Sequence, residues 1–489
     1  MSPLSSARIG ATVALLGAGC AGSDRGADGT AGPTTTAPPL VADCSSAPSD
    51  FQGVRVSPTA VASVLSVSWS STTPGRGALA VRVGDETAWL TPAGDAGLDH
   101  SVQVVGVPFD ADLTLTPMVQ GDDGTTCGDS LAARTGPLDP RFPALRLEAT
   151  DGAALEGGYV LVPVLTTDNA WVAVLDDQGR PVWVWSERQQ GHPQGGPIFK
   201  AMVAPDGSGV LFNTQGDAPD AHGAVTSVSW DGKDRAMRFV TGGHTDFALL
   251  PDGGFAMLGW TVREVEGGRL LLGDTVVVVN ADGDEEIIWD AFDHIVPDLS
   301  RRYPTGFMPG RPDLEDWSHV NGISYDAERD HLLITIPLTD SVTRIDRQTG
   351  DEVWTLSGHG GTLDTQGQIE LVHFPHSAHV VDGGLLIFNR HDWIHGEECS
   401  EAMWLDIDEQ AGTAGRAASY LGGGCERVGF LGSAEPLPDG SALISWSVAA
   451  MLDVAQRDGQ TAWRLRADLG AGFGFATWTD ELQTPAAGW

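Results

Sequence analysis

A short unit recurs along the chain from about residue 138, and this recurrence restricts the fold more than any other feature. A turn of the form Pro-Asp-Gly or Asp-Gly-Gly leads into an apolar strand. A second strand follows, and a third ends near a tryptophan after another Asp/Gly turn. The leading turn stands at Pro205-Asp206-Gly207, Pro251-Asp252-Gly253, Asp382-Gly383-Gly384 and Pro438-Asp439-Gly440, with residues 326–330 in the equivalent place of one copy. The closing tryptophans are Trp183, Trp289, Trp354 and Trp463. With the copy that starts at Tyr159 this makes six units. A spacing of roughly 45 to 75 residues, stretched by loop insertions, is what radial four-stranded blades produce, and no such blade can bury both of its faces alone. The expectation is an all-β chain with a six-bladed β-propeller over residues 138–489; seven blades is the alternative count.

Upstream, residues 44–137 read as short strands at 64–69, 79–83, 102–107 and 113–119. They alternate in Leu113-Thr-Leu-Thr116 and Ala80-Val-Arg-Val83 and are punctuated by Thr73-Pro-Gly75 and Asp122-Asp-Gly124. That pattern predicts a small β-sandwich. It resembles a fibronectin type III domain, with Trp69 as its early core tryptophan, and it carries no catalytic constellation. A length of 489 residues with 63 Gly and 29 Pro fits two turn-rich domains and a tail.

The first 20 residues read as an export signal: Arg8, an apolar stretch at 9–16, then Gly17-Ala18-Gly19 before Cys20. The stretch is too short to span a bilayer. It resembles a bacterial lipoprotein signal, which implies lipidation of Cys20 and an exported protein anchored by lipid at a bacterial membrane, periplasmic or at the cell surface. A general secretory signal with an incidental cysteine is the alternative. Residues 21–43, rich in Gly, Thr, Ala and Pro, read as a flexible linker. Cys44, Cys127, Cys399 and Cys425 remain, an even number that points to disulfides in an exported protein. Sequence order favours Cys44 with Cys127 and Cys399 with Cys425 among three possible pairings. Zinc binding is the competing use, disfavoured because no Cys-x-x-Cys pair is present.

With 28 Lys and Arg against 66 Asp and Glu, the net charge is −38, which repels nucleic acid. In this acidic chain three histidines lie just before the turn or strand that opens a repeat: His244 in Gly243-His-Thr-Asp246, His319 in Asp316-Trp-Ser-His-Val-Asn-Gly322, and His376 in Phe374-Pro-His376. Loops at one end of a propeller converge on its axis, so equivalent placement predicts that these imidazoles meet.

Four stretches carry a further likeness: the segment from Asp316 to Ile323; residues 332–346 with Arg347-Gln-Thr-Gly350 and Val353-Trp-Thr-Leu-Ser-Gly358; Phe374-Pro-His376; and Gly384-Leu-Leu-Ile-Phe-Asn389. They resemble the bacterial arylsulfate sulfotransferase family and its wider arylsulfotransferase-like branch. The resemblance implies an exported six-bladed propeller, often with an N-terminal β-sandwich. In such enzymes an axial histidine attacks the sulfur of an aryl sulfate, expels a phenol and passes the sulfuryl group to a second phenol, with no nucleotide donor. His376 matches that nucleophile, with Pro375 where the family has Gln. His319 and Asn321 match the Trp-x-His-x-Asn motif, and His244 matches the histidine of the preceding blade. Neutral imidazole is a competent nucleophile near pH 7, and neighbouring imidazoles can donate to sulfuryl oxygens or protonate a phenolate.

One departure bears on activity. Pro337 falls where the family places an arginine, and losing one preorganised donor costs about 100- to 1000-fold in turnover. Arg390 is the candidate replacement; Arg344 is expected to make a surface contact. The alternative to a transferase is therefore a weakened or inactive lipid-anchored propeller that binds or scaffolds. The expected partners are a small aryl sulfate and a phenol, with no nucleic acid and no cofactor or metal, and a homodimer is compatible with the chain. A quinone-dependent dehydrogenase propeller lacks its ligand set here. His391, His395, Asp392, Glu397 and Glu398 are of metal-ligand type but read as a solvated loop. Residues 262–268 read as charged surface. Residues 290–315, with Arg301, Arg302 and Arg311, read as an insertion able to cover the axial end as a lid.

Overall fold

The repeated turn is a hairpin corner, and its chemistry is local. In the computed structural model Gly207, Gly253, Gly383 and Gly440 hold φ between +68° and +84°, a region that costs glycine nothing. In three of these corners the preceding aspartate accepts the backbone N–H two residues on, at Ser208, Gly254 and Ser441. Asp330 (φ 57°) takes the left-handed position in the fourth copy, as Asp can. The structure describes residues 44–483 apart from 87, 151–153, 189–196, 304–307, 309–310, 358–360, 369–370, 392–397, 469 and 471. The export segment, Cys20 and the linker of residues 21–43 lie outside the described residues.

Six sheets, each built on antiparallel strands, make six blades, the third with Leu314–Asp316 added in parallel to Arg269–Val279. The second to sixth open with Ile198–Val203, Gly243–Leu249, Gly322–Asp326, Pro375–Val381 and Ser433–Pro436, and in each the strands pair in chain order. These opening strands pack against one another around the axis. The first blade, Tyr159–Leu165, Ala170–Asp176 and Pro181–Trp185, takes its innermost position from the C-terminal strands Gly472–Phe473 and Thr477–Thr479. Leu145–Thr150 adds a fifth, outer strand to the sixth blade by pairing with Thr461–Ala467. Both ends of the propeller segment thus close the ring. Among the described residues the α-helical content is one turn, Ala291–His294, and no helix is long and apolar enough to cross a membrane.

The closing tryptophans explain the other half of the sequence signature. Each is buried, and each indole N–H donates to the following blade: Trp183 to the Trp230 carbonyl (3.0 Å), Trp289 to Glu352 (3.2 Å), Trp354 to Glu409 (3.1 Å) and Trp463 to the Asp177 carbonyl (2.9 Å). Tryptophan suits a seam that is apolar with one polar rim, because it fills volume and still satisfies its single donor.

The N-terminal sandwich is built on Val67, Trp69, Leu79, Val81, Val104 and Leu115, and Cys44 is bonded to Cys127 with Cα atoms 5.8 Å apart. One correction applies. The stretches predicted at 64–69 and 79–83 are not separate strands divided by Thr73-Pro-Gly75; apart from Val64, which lies just outside, they belong to one strand, Leu65–Val83. Its first half pairs with Phe51–Pro58 and Ala96–Val104 and its second half with Asp112–Gly121, with a register shift between Ser70 and Gly75. The exposed Thr-Thr-Pro stretch is the bend that carries the strand from one half to the other. The sandwich sits on the propeller through Val61, Val64 and Val105, which pack with Trp185 and Trp230.

Trp463→Ala is expected to lower stability by about 3–5 kcal/mol, read from the urea midpoint. An unchanged midpoint would mean that the seam between the sixth and first blades does not carry the closure.

Candidate active site

On the third to sixth blades a residue in the left-handed region lies within the start of the inner strand, as Thr245 (φ 45°), or just before it, as His319 (55°), Phe374 (53°) and Leu431 (54°). Such a conformation costs a residue with a Cβ about 1–2 kcal/mol. It breaks the strand register at His244/Phe247 and Pro375/Ser377, and a bulge re-aims the side chains beside it. The three histidines are therefore not in equivalent positions. His244 precedes the kink of its blade, His319 occupies the kink, and His376 follows it by two residues. They nevertheless line a single cavity of 260 Å³ together with Asn321 and Arg390. Convergence survives the shift in register because all four kinks surround one axial end.

Each side chain is held differently. His376 is buried, its Nδ1 has no hydrogen-bond partner, and its ring lies 5.3 Å from that of Phe475. Burial above all, then the charge of Arg390 and of His319, pushes its pKa well below the ordinary 6.5, so the imidazole is neutral at pH 7. His319 is the more accessible ring, with its Nδ1 2.5 Å from Asp316 Oδ2. Burial pushes the Asp316 carboxyl up, and His319 opposes that shift. His244 stacks on Trp260 at 4.6 Å. Its Nδ1 is 2.9 Å from Thr245 Oγ1, and its Nε2 stands 3.0 Å from Asp274 Oδ1 without the alignment of a hydrogen bond. Asp274 also accepts from Ser318 Oγ and the Val320 N–H, which ties the third blade to the His319 loop. Asn321 accepts from Thr335 Oγ1 through its carbonyl (2.8 Å), while its buried amide Nδ2 has no partner. An unpaired buried donor costs about 1–3 kcal/mol, so its retention marks a position for an acceptor.

Arg390 is buried, lies over the Phe374 ring at 4.6 Å and donates to Tyr303 Oη at 3.3 Å. A guanidinium thus reaches the cavity although position 337 is proline. Pro337 begins a buried 3-10 turn, Pro337–Thr339, and is absent from the cavity wall. Arg344 needs correction: it is 2% exposed rather than on the surface, paired with Asp326 and Glu409. It lines a separate open groove of 940 Å³ between the fourth and fifth blades. That groove is larger, but none of the five predicted axial residues faces it.

Sequence reasoning missed Tyr303, Asp274 and Asp316. Tyr303 belongs to the 290–315 insertion, bridges by its backbone to Asp316 (N–H to carbonyl, 2.9 Å) and packs edge-on against His319 at 4.7 Å. The insertion therefore supplies part of the cavity wall. Phe199, Trp260 and Phe430 add aromatic surface. Asp316 had a signal, since it stands three residues before His319 in the same motif; Asp274, from a distant strand, had none. Cys399 is bonded to Cys425, Cα atoms 4.9 Å apart. Asp392, His395 and Glu397 lie outside the described residues, but His391 is buried rather than solvated.

Residues 159–464, more than half of the chain, match the family described as Arylsulfotransferase (ASST). The chain belongs to this arylsulfotransferase family. No curated relative matches it. Among solved structures it is similar to a protein of unknown function from Bacteroides caccae (12% identity, 65% of this chain and 98% of that chain, TM-score 0.37). It is also similar to an auxiliary nutrient binding protein from Bacteroides ovatus (11% identity, 85% and 86%, TM-score 0.36). For an arylsulfotransferase-family propeller the cavity is chemically apt: aromatic walls for a ring, with a guanidinium and an amide donor for an anionic group.

Replacing Arg390 by Met is expected to weaken binding of a non-transferable aryl sulfonate by about 10- to 100-fold, the range for losing a hydrogen bond to a charged group. Calorimetric titration reads this directly, and equal affinity in the two proteins would remove Arg390 from the anion site.

Proposed function

We propose that the protein transfers a sulfuryl group from an aryl sulfate to a phenolic acceptor, with His376 as the nucleophile. What carries this reading is the meeting of His376, His319, His244, Asn321 and Arg390 in one cavity. In the first half-reaction a lone pair of the neutral His376 ring attacks sulfur. The sulfur–oxygen bond to the aryl group breaks, and the phenolate leaves with the electron pair. His319, oriented by Asp316, protonates that oxygen. In the second half-reaction His319 takes the proton of the incoming phenol, whose oxygen attacks sulfur as the nitrogen–sulfur bond breaks. Arg390 and the Asn321 amide stabilise charge on the sulfuryl oxygens in both transition states, where preorganised donors contribute most. The presence of Arg390 in the wall favours this reading over a binding-only propeller, which rested on the missing cation at position 337.

The test is a chromogenic aryl sulfate with excess phenol. Wild type should release chromophore in a phenol-dependent manner, and His376→Ala should lose the reaction while keeping its fold. Because the folded-state pKa of His376 is depressed, the reactive neutral form persists as pH falls through 6.5. The acid limb of kcat/KM should therefore lie below pH 6.5. No release from folded wild type across several donors would reject the transferase.

A further inference from the structure

The hairpin that presents Arg390 carries a second cluster that sulfuryl transfer does not use. Backbone bonds from His391 N–H to the His373 carbonyl (3.2 Å) and from Arg390 N–H to the Phe374 carbonyl (3.1 Å) prolong the pairing of Pro375–Val381 with Gly384–Asn389. His373 and His391 therefore face each other. Their Nδ1 atoms are 3.1 Å apart, with ring planes at 83°. Glu398 Oε2 lies 2.9 Å from His391 Nδ1 and 3.5 Å from His373 Nδ1. Three electron-pair donors thus enclose one point. Donors bound tetrahedrally at about 2.0–2.1 Å stand about 3.3–3.4 Å apart, and the three separations of 2.9, 3.1 and 3.5 Å bracket that spacing.

The surroundings supply an acceptor for the far nitrogen of the His391 ring. His391 Nε2 is 3.4 Å from Glu401 Oε1, and the Glu401 carboxylate is gripped by Arg416 through two contacts at 2.9 and 3.0 Å. An acceptor there can hold a proton on Nε2, and in that tautomer a lone pair on Nδ1 is directed at Glu398 and His373. This is the carboxylate-to-histidine arrangement that orients metal-binding imidazoles. Facing lone pairs repel unless a positive centre lies among them. One proton can occupy only one of the three lines joining these atoms, whereas a metal ion satisfies all three. His391 also holds φ 59°, a costly conformation for a residue with a Cβ. Glu398 is placed by its neighbour, the Cys399–Cys425 disulfide.

We propose that His373, His391 and Glu398 bind a divalent transition-metal ion of the zinc type. Two imidazoles and one carboxylate suit zinc, nickel, cobalt or copper, whereas magnesium and calcium prefer all-oxygen sets. The ion fastens the two strands that carry Phe374 and Arg390, each one residue from a ligand. The assignment stands independently of the transferase reading.

The experiment is calorimetric titration of the chelator-treated, dialysed full chain with zinc alone, the fold checked by circular dichroism. One ion per chain is expected. His373→Gln and Glu398→Gln should each weaken binding about tenfold or more, and Asp284→Asn, an acid remote from the cluster, should not. Glu398 is 48% exposed, so its variant keeps the comparison meaningful if His373→Gln is unstable. Absence of stoichiometric binding to wild type overturns the site, and so does binding that both ligand variants leave undiminished.

Discussion

A four-stranded blade that is apolar on both faces has nowhere to hide either one, and the whole architecture follows from that constraint. Every blade must find two neighbours, so the ring must close. Closure comes from the two ends of the propeller segment, which complete the first and sixth blades on opposite edges. The buried tryptophans make each contact directional, because an indole packed at a seam still has to place its N–H. Four of them place it on the next blade. Tight seams bring the mouths of successive inner strands together, and the axial cavity is a by-product of this packing.

Holding an anion at that mouth looks unfavourable in a chain of net charge −38. Range resolves the conflict. At physiological salt the Debye length is about 8 Å, so exposed surface charge is screened well before it reaches the axis. A buried guanidinium lining the axial cavity, as Arg390 does, is not. The neutral His376 imidazole, moreover, adds a nucleophile without the large cost of burying a further charge. His376 is kept neutral by burial and by Arg390 itself, so the guanidinium that would hold the anion also favours the neutral ring that the proposed attack needs.

Much of the fold could be read beforehand because its signals are local. Asp-Gly corners need the left-handed glycine they advertise, and Trp183, Trp289, Trp354 and Trp463 mark seams. The ring-closing strands Gly472–Phe473 and Thr477–Thr479 were invisible, being too short for an alternation and lacking the Asp/Gly turn that precedes the other closing tryptophans. In the site, His319, His376 and Asn321 stood in recognisable motifs, and Arg390 was reachable from its place after Asn389. Their exact registers were not, since a left-handed kink shifts each blade by a residue or two without changing composition. Tyr303 and Asp274 act from an insertion and a remote strand, and no spacing in the chain connects them to the histidines they touch. His391 was misread because its loop looks polar, whereas cross-strand pairing to His373 buries it.

The central claim is that His376 carries the sulfuryl group between donor and acceptor. The direct measurement is mass spectrometry of the protein quenched under alkaline conditions after mixing with an aryl sulfate and no phenol, with peptides mapped across residues 371–391. A sulfuryl adduct on His376 that disappears when phenol is added is the predicted result. An adduct on another residue, or donor turnover without any adduct on His376, would contradict it.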